Sequence, residues 1–263
     1  MPNHDESPVR DIKFLPRLVP LALWIFSKIK FRKFTVVGDL PDFDRRGLIV
    51  VCNHPSNAAT ALLIGTLFIK AKRIDDVKLR KYRYPRALAD GRLFTGIRGA
   101  IFRFTGQIPV DRSRGADAFK TAEQVLKEGG LIMIYPEGTR TKKVNGWPIP
   151  VPSNRKIEVK NESPADEKFY GTGHYKTGAV RLAIATGATI VPTLQYLDRA
   201  GRGAEATIQF DEPISFADLK GKELSNEELQ SQTGQIMYQI AEMMAAAKGK
   251  PMPDGVRDQI LAG

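Results

Sequence analysis

The chain has 263 residues, 42% of them hydrophobic and 26% charged, which suits one large globular domain and excludes a disordered or collagen-like chain. Lys and Arg number 40 against 29 Asp and Glu, and the net charge of +11 favours an anionic partner: lipid headgroups, nucleic acid or a phosphorylated small molecule. The single cysteine, Cys52, excludes a disulfide framework, and His4, His54 and His174 are too far apart to read as metal ligands, so no metal site is expected.

Residues 1–11 are polar and show no cleavable signal peptide. Phe14 to Phe34 is different. Its apolar core, Leu18 to Ile29, is too short and too basic at its flanks to span a bilayer. Pro16 and Pro20 suit the start of a helix. Trp24 and Phe26 lie beside Lys28, Lys30, Arg32 and Lys33, the pattern of an amphipathic helix lying in the headgroup layer. A core helix with a basic end that complements its dipole is the alternative. The chain therefore divides into a tail and interfacial helix over 1–34 and one domain over 35–263.

From Phe34 onward strand-like and helix-like patterns alternate. Strands are predicted at Phe34–Gly38, Leu48–Cys52, Arg86–Asp90, Gln107–Asp111, Leu131–Tyr135, Thr189–Tyr196 and Ala204–Phe210. Helices are predicted at Ala58–Ala71, Leu93–Phe104, Ala116–Lys127, Tyr175–Thr186 and Asn226–Ala247. Gly129-Gly130 and Gly187 stop two of them, and Ser225 with Glu228 makes a capping box. The alternation predicts an α/β fold, a mostly parallel sheet flanked by helices, with ligands bound beyond the carboxyl ends of the strands. Residues 142–169 interrupt it with a polar excursion, in which Ile157-Glu158-Val159 reads as a hairpin strand.

The motifs sit at those carboxyl ends. Val51-Cys52-Asn53-His54-Pro55-Ser56 delivers a histidine onto a turn between a strand and a helix, a position suited to proton transfer. Gly106-Gln107-Ile108-Pro109-Val110-Asp111-Arg112 ends a strand on a guanidinium that suits a phosphate monoester, or an ion pair with Asp111. Tyr135-Pro136-Glu137-Gly138-Thr139-Arg140 adds a second guanidinium, a hydroxyl and a glycine that lets backbone approach a ligand. Ile190-Val191-Pro192-Thr193 follows a helix and reads as architecture. A Cys52–His54 nucleophile is conceivable, but a buried strand cysteine is the simpler reading.

Taken in order, these four blocks resemble the glycerolipid acyltransferases, the family that includes the lysophosphatidic acid acyltransferases. The first resembles the Asn-His-x-x-x-x-Asp box and the third the Phe-Pro-Glu-Gly-Thr-Arg block. The resemblance runs from about Val36 to Phe216. It implies transfer of a fatty acyl group from acyl-coenzyme A or acyl carrier protein, as co-substrate, to a lysophospholipid such as 1-acyl-sn-glycerol-3-phosphate, giving phosphatidic acid. His54 would be the general base; Arg112, Glu137, Gly138, Thr139 and Arg140 would bind substrate. Glu137 would pair with an arginine or grip the acceptor's hydroxyl end. No cofactor is expected. The site would lie at the cytoplasmic face of a membrane, reached peripherally, with membrane phospholipids as partners and no nucleic acid, since no reading motif is present. The resemblance fails at one position: the box aspartate, which backs the imidazole, falls on Ala59. Impaired turnover is therefore expected, and a catalytically inactive protein that holds lipid or acyl donor at the membrane is the alternative. Between Lys70 and Arg103 basic residues outnumber acids, which suits a solvated surface or a second contact with anionic lipid, coenzyme A phosphates or acyl carrier protein.

Overall fold

The computed structural model describes residues 22, 25, 26, 29–41, 47–71, 84–110, 115–138, 141–144, 147–149, 175–199, 201–252 and 256–261. Its strands are β1 (Phe31–Val37), β2 (Leu48–Cys52), β3 (Pro85–Asp90), β4 (Ile108–Val110), β5 (Leu131–Ile134), β6 (Lys142–Val144), β7 (Trp147–Ile149), β8 (Thr189–Leu197) and β9 (Ala204–Phe210). Its α-helices are α1 (Asn57–Ala71), α2 (Gly96–Phe104), α3 (Gly115–Lys127), α4 (Gly178–Thr186), α5 (Asn226–Lys248) and α6 (Val256–Leu261). Seven strands form one sheet in the order β1-β9-β8-β2-β5-β3-β4, and β6 and β7 pair as a separate hairpin.

Strands β2, β3, β4, β5 and β8 run parallel to one another, while β9 and β1 run the opposite way. The fold is thus α/β with a mostly parallel sheet, as predicted. Strand direction fixes what meets at the carboxyl edge. The chain leaves β2 there at Asn53-His54, β3 at Gly91, β5 at Tyr135 and β8 at Asp198. Because β1 is reversed, its first residue, Phe31, and the helical residues just before it also reach that edge.

The continuous apolar runs follow from burial on both faces. All five residues of β2 are buried. Ile49 and Val51, with Ile132 and Ile134 of β5, pack beneath α3, α4, α5 and α6. Leu48, Val50 and Cys52, with Leu131 and Met133, face the other way, onto Leu62, Leu63 and Leu67 of α1. Burying each such leucine stabilises the fold by about 1.5–3 kcal/mol. Gly187 ends α4 in the left-handed region at φ 75°, as its position predicts, and the Ser225–Glu228 capping box is formed on α5.

Several boundaries differ from the sequence expectation, each for a visible reason. Strand β1 starts at Phe31 because Arg32 pairs with Glu205 of β9 and Phe31 is buried, so these residues extend the sheet. The helix expected over Leu93–Phe104 is two pieces. A 3-10 turn, Gly91–Phe94, is capped by Asp90, and Thr95 is extended at φ −104°, ψ 152° before α2 begins. The helix expected from Tyr175 starts at Gly178, because Gln230 holds the Tyr175 backbone: its Oε1 accepts from Tyr175 N–H at 3.0 Å and its Nε2 donates to Tyr175 O at 2.9 Å. The hairpin β6–β7 and helix α6 have no counterpart in the sequence reading. Ile157–Val159 lies outside the described residues.

Candidate active site

The site begins with an anchor. Asn53 and Gln195 are both buried and exchange three hydrogen bonds: Asn53 Nδ2 donates to Gln195 O at 3.0 Å, Gln195 N–H to Asn53 Oδ1 at 2.8 Å, and Gln195 Nε2 to Asn53 O at 2.7 Å. This ties the last turn of β2 to β8 just as the ladder ends. The asparagine that opens the histidine box is therefore a fastener, and it sets where the next residue emerges.

That residue is His54, half-buried at the carboxyl edge. Its backbone N–H is shared between Glu137 Oε1 at 3.0 Å and Thr141 Oγ1 at 2.7 Å, and its carbonyl accepts from Thr141 N–H at 2.7 Å. The Thr141 hydroxyl donates onward to Glu137 Oε1 at 2.7 Å. Glu137 is 1% exposed. Burial pushes its carboxyl up to about 8, against the pull of the hydrogen bonds from Thr141 and the His54 backbone. The Glu137 side chain thus reaches back under the histidine turn and braces main chain. Gly138 closes the turn after β5 at φ 65°, its N–H donating to Tyr135 O at 3.0 Å.

The imidazole is held by different groups. Its Nδ1 lies 3.1 Å from Thr60 Oγ1. The Tyr135 phenol donates to the same oxygen at 2.9 Å, and the Thr60 hydroxyl lies 3.2 Å from Ser56 O. The Tyr135 ring flanks the imidazole with centroids 4.4 Å apart and planes at 30°. Ala59, one residue before Thr60, is buried. Ser56 caps α1: its Oγ accepts from Ala59 N–H at 3.1 Å, and Thr60 N–H to Ser56 O at 3.1 Å begins the helical ladder. The N–H groups of Asn57 and Ala58, in the first turn, have no intrahelical acceptor.

Of the residues singled out from sequence, the described structure brings together His54, Glu137 and Gly138; Arg112, Thr139 and Arg140 lie outside the described residues, as does most of the basic stretch after Lys70. Cys52 is fully buried and burial pushes its thiol far up, so it is an inert strand residue. Gln107 of the second block is structural too: its Oε1 accepts from Ala87 N–H at 2.7 Å and joins β3 to the approach of β4. Sequence reasoning missed Thr60, Thr141 and Gln195, and treated Tyr135 only as a motif residue. A hydroxyl one residue beyond the vacant acid position was the available signal for Thr60.

Comparison with known proteins bears on the fold and the family. The chain superposes on the crystal structure of the 1-acyl-sn-glycerophosphate (LPA) acyltransferase PlsC from Thermotoga maritima with a TM-score of 0.56 and 18% identity, over 92% of this chain and 83% of that one, a likeness of fold. No protein of curated function matches the sequence. The Acyltransferase family profile matches residues 28–195, well over half of the chain and the span that holds every group described above. The chain belongs to the Acyltransferase family.

Proposed function

We propose that this protein is a peripheral membrane acyltransferase that moves a fatty acyl group from the thioester of coenzyme A or acyl carrier protein to the free hydroxyl of 1-acyl-sn-glycerol-3-phosphate, forming phosphatidic acid. The observation that supports it most is the half-buried His54 ring, held through Nδ1 at the edge where the parallel strands end. In the step, His54 Nε2 takes the acceptor's hydroxyl proton as the oxygen bonds to the thioester carbon. The tetrahedral oxyanion then collapses, the carbon–sulfur bond breaks, and the thiolate or the thiol after proton return departs. A thiol with pKa near about 8.5 is a good leaving group and needs little acid help. The Asn57 and Ala58 N–H groups at the positive end of α1 suit the oxyanion. Arg112 and Arg140 would hold the acceptor phosphate, with Gly138 and Thr139 shaping its pocket. The step calls for no metal and no resident cofactor.

The membrane part of the reading rests on two exposed apolar faces. Ala22, Ile25, Phe26 and Ile29 are helical and exposed, at the spacing of one helix face. On α2, Ile97, Ile101 and Phe104 are 85%, 56% and 58% exposed, on a helix that carries arginine and no acid. The first face precedes β1, which starts at the carboxyl edge, and α2 follows the 3-10 turn at the carboxyl end of β3. No helix among the described residues is long and apolar enough to cross a bilayer. A cationic protein with such faces suits the anionic cytoplasmic leaflet.

The test is thiol release from acyl-coenzyme A, with and without lysophosphatidic acid, and mass spectrometry of the lipid product. Acceptor-dependent release with phosphatidic acid formed is expected. No release favours instead the binding protein that Ala59 suggests, and release indifferent to acceptor would mean that water takes the acyl group, which overturns the acyl-transfer reading. Flotation with phosphatidylglycerol vesicles should fall several-fold for Ile97→Asp/Ile101→Asp, and unchanged flotation would remove α2 from the membrane face.

A further inference from the structure

We infer that Thr60, oriented by Tyr135, is the positioning residue that fixes the tautomer of His54, in the role that the aspartate of the box has elsewhere in the family. The inference rests on the general-base reading above, and its argument is one of counting. A threonine hydroxyl has one proton and two lone pairs. Thr60 Oγ1 faces three groups: Ser56 O at 3.2 Å, Tyr135 O–H at 2.9 Å and His54 Nδ1 at 3.1 Å. The Ser56 carbonyl can only accept, and beside the Thr60 N–H at 3.1 Å its second lone pair takes the Thr60 hydroxyl proton. The Tyr135 phenol also lies beside Cys52 and Gln195 and 3.8 Å from Met133 Sδ, a weak acceptor, while its contact with an oxygen acceptor is Thr60 at 2.9 Å. Burial keeps that phenol protonated, so it donates and fills one lone pair. The remaining lone pair points at Nδ1, and the group that satisfies it is an Nδ1–H. The proton then sits on Nδ1, and Nε2 carries the lone pair that a base requires. The opposite arrangement, with Thr60 donating to Nδ1, would put the ring proton on Nε2 and leave His54 unable to accept from an alcohol.

The chain of hydroxyls differs from a carboxylate in one respect. It orients a neutral imidazole but brings no charge to the imidazolium that forms during transfer. Thr60 therefore secures the starting state of His54 and stabilises the charged state weakly. This accounts for how a box without its acid keeps a histidine in working geometry.

The experiment reads the ring directly. Nitrogen-15 spectra of the labelled full chain, which has three histidines, are recorded above the His54 pKa, with His54 assigned by its loss in His54→Ala. The expected result is a protonated Nδ1 and an unprotonated Nε2. Thr60→Val should lose that preference and lower kcat roughly tenfold, the size of one hydrogen bond, with KM little changed. Thr60→Ser should restore both, which loss of packing alone would not do. An Nε2-protonated ring in the wild-type protein overturns the inference, as does Thr60→Val with unchanged spectrum and kcat; a melting temperature confirms that the variants fold. If the wild-type protein shows Nδ1–H but forms no product, the acyl-transfer reading fails while Thr60 remains the holder of the ring. If it forms product with Nε2–H, the inference fails alone.

Discussion

The main chain of His54 and its side chain are held by two different kinds of structure. The main chain is fixed redundantly and from below: Asn53 is laced to Gln195, and the His54 N–H and C=O meet Glu137 and Thr141. Those partners are mostly buried and lie far from His54 in sequence. Among the described residues the ring is met from the side, by one hydroxyl of the helix that follows and by the ring of Tyr135. A rigid stem and a ring held by separate groups suit the proposed general base, which would both accept and return a proton. The comparison predicts that stability and turnover are separable here, because different residues would serve them.

Replacing the ring should show the largest effect. His54→Ala leaves every backbone bond of the turn in place, so the melting temperature should hold while kcat falls by about 10²–10⁴, the usual worth of a general base. A variant that keeps more than a third of wild-type turnover in the thiol-release assay would remove His54 from the chemistry. Asn53→Ala attacks the stem instead. It strips partners from Gln195 N–H and O, both buried, at about 1–3 kcal/mol for each group left unpaired. A cooperative melt should move down by several degrees, and an unmoved melt would show that water or a rearranged Gln195 replaces the asparagine.

Glu137 supplies a pH signature of the stem. Its carboxyl titrates near its ordinary value of 4.5 in the unfolded chain and at about 8 when folded. Between those values the folded state holds a proton that the unfolded state has released, so Glu137 contributes falling stability as pH rises from 4.5 to 8. Glu137→Gln keeps an acceptor for His54 N–H and Thr141 and cannot ionise. Its stability relative to wild type should therefore grow as pH rises through this window, by as much as a few kcal/mol. Parallel stability curves for the two proteins would mean that the carboxyl is already ionised at low pH.

Much of the stem was legible from sequence in kind, though not in detail. The apolar run Leu48–Cys52 announces a strand buried on both faces, and an asparagine and histidine at its end announce a site at the carboxyl edge. What sequence does not carry is where long-range partners lie. Gln195 sits one residue before the end of the predicted strand Thr189–Tyr196, where pattern alone marks it as one more strand position. Glu137, in a block that ends on Arg140, invites a ligand role, yet its side chain turns inward to Thr141 and the His54 backbone. Thr60 was hidden for a different reason. Attention to the missing acid at Ala59 drew the reading to one position, while a helix entered from a capped turn brings its neighbour to the ring.

The smallest effect is the most informative about the ring. Ala59→Asp returns a carboxylate to the acid position of the box. Ala59 is 3% exposed, so the new charge is desolvated and the melting temperature should drop unless it meets the imidazolium. Beside His54 it would favour the charged ring and raise its pKa, visible when the nitrogen-15 spectra are followed against pH. The gain in kcat should be about tenfold or less, far below the roughly 10⁴ that separates an acid from its amide in a hydrolase triad, because there the amide leaves the wrong tautomer. Here Thr60 already sets the tautomer, and the acid adds only charge. A rise of a thousandfold would mean that the ring had not been held in a useful state, and that the hydroxyls of Thr60 and Tyr135 contribute little to orienting it.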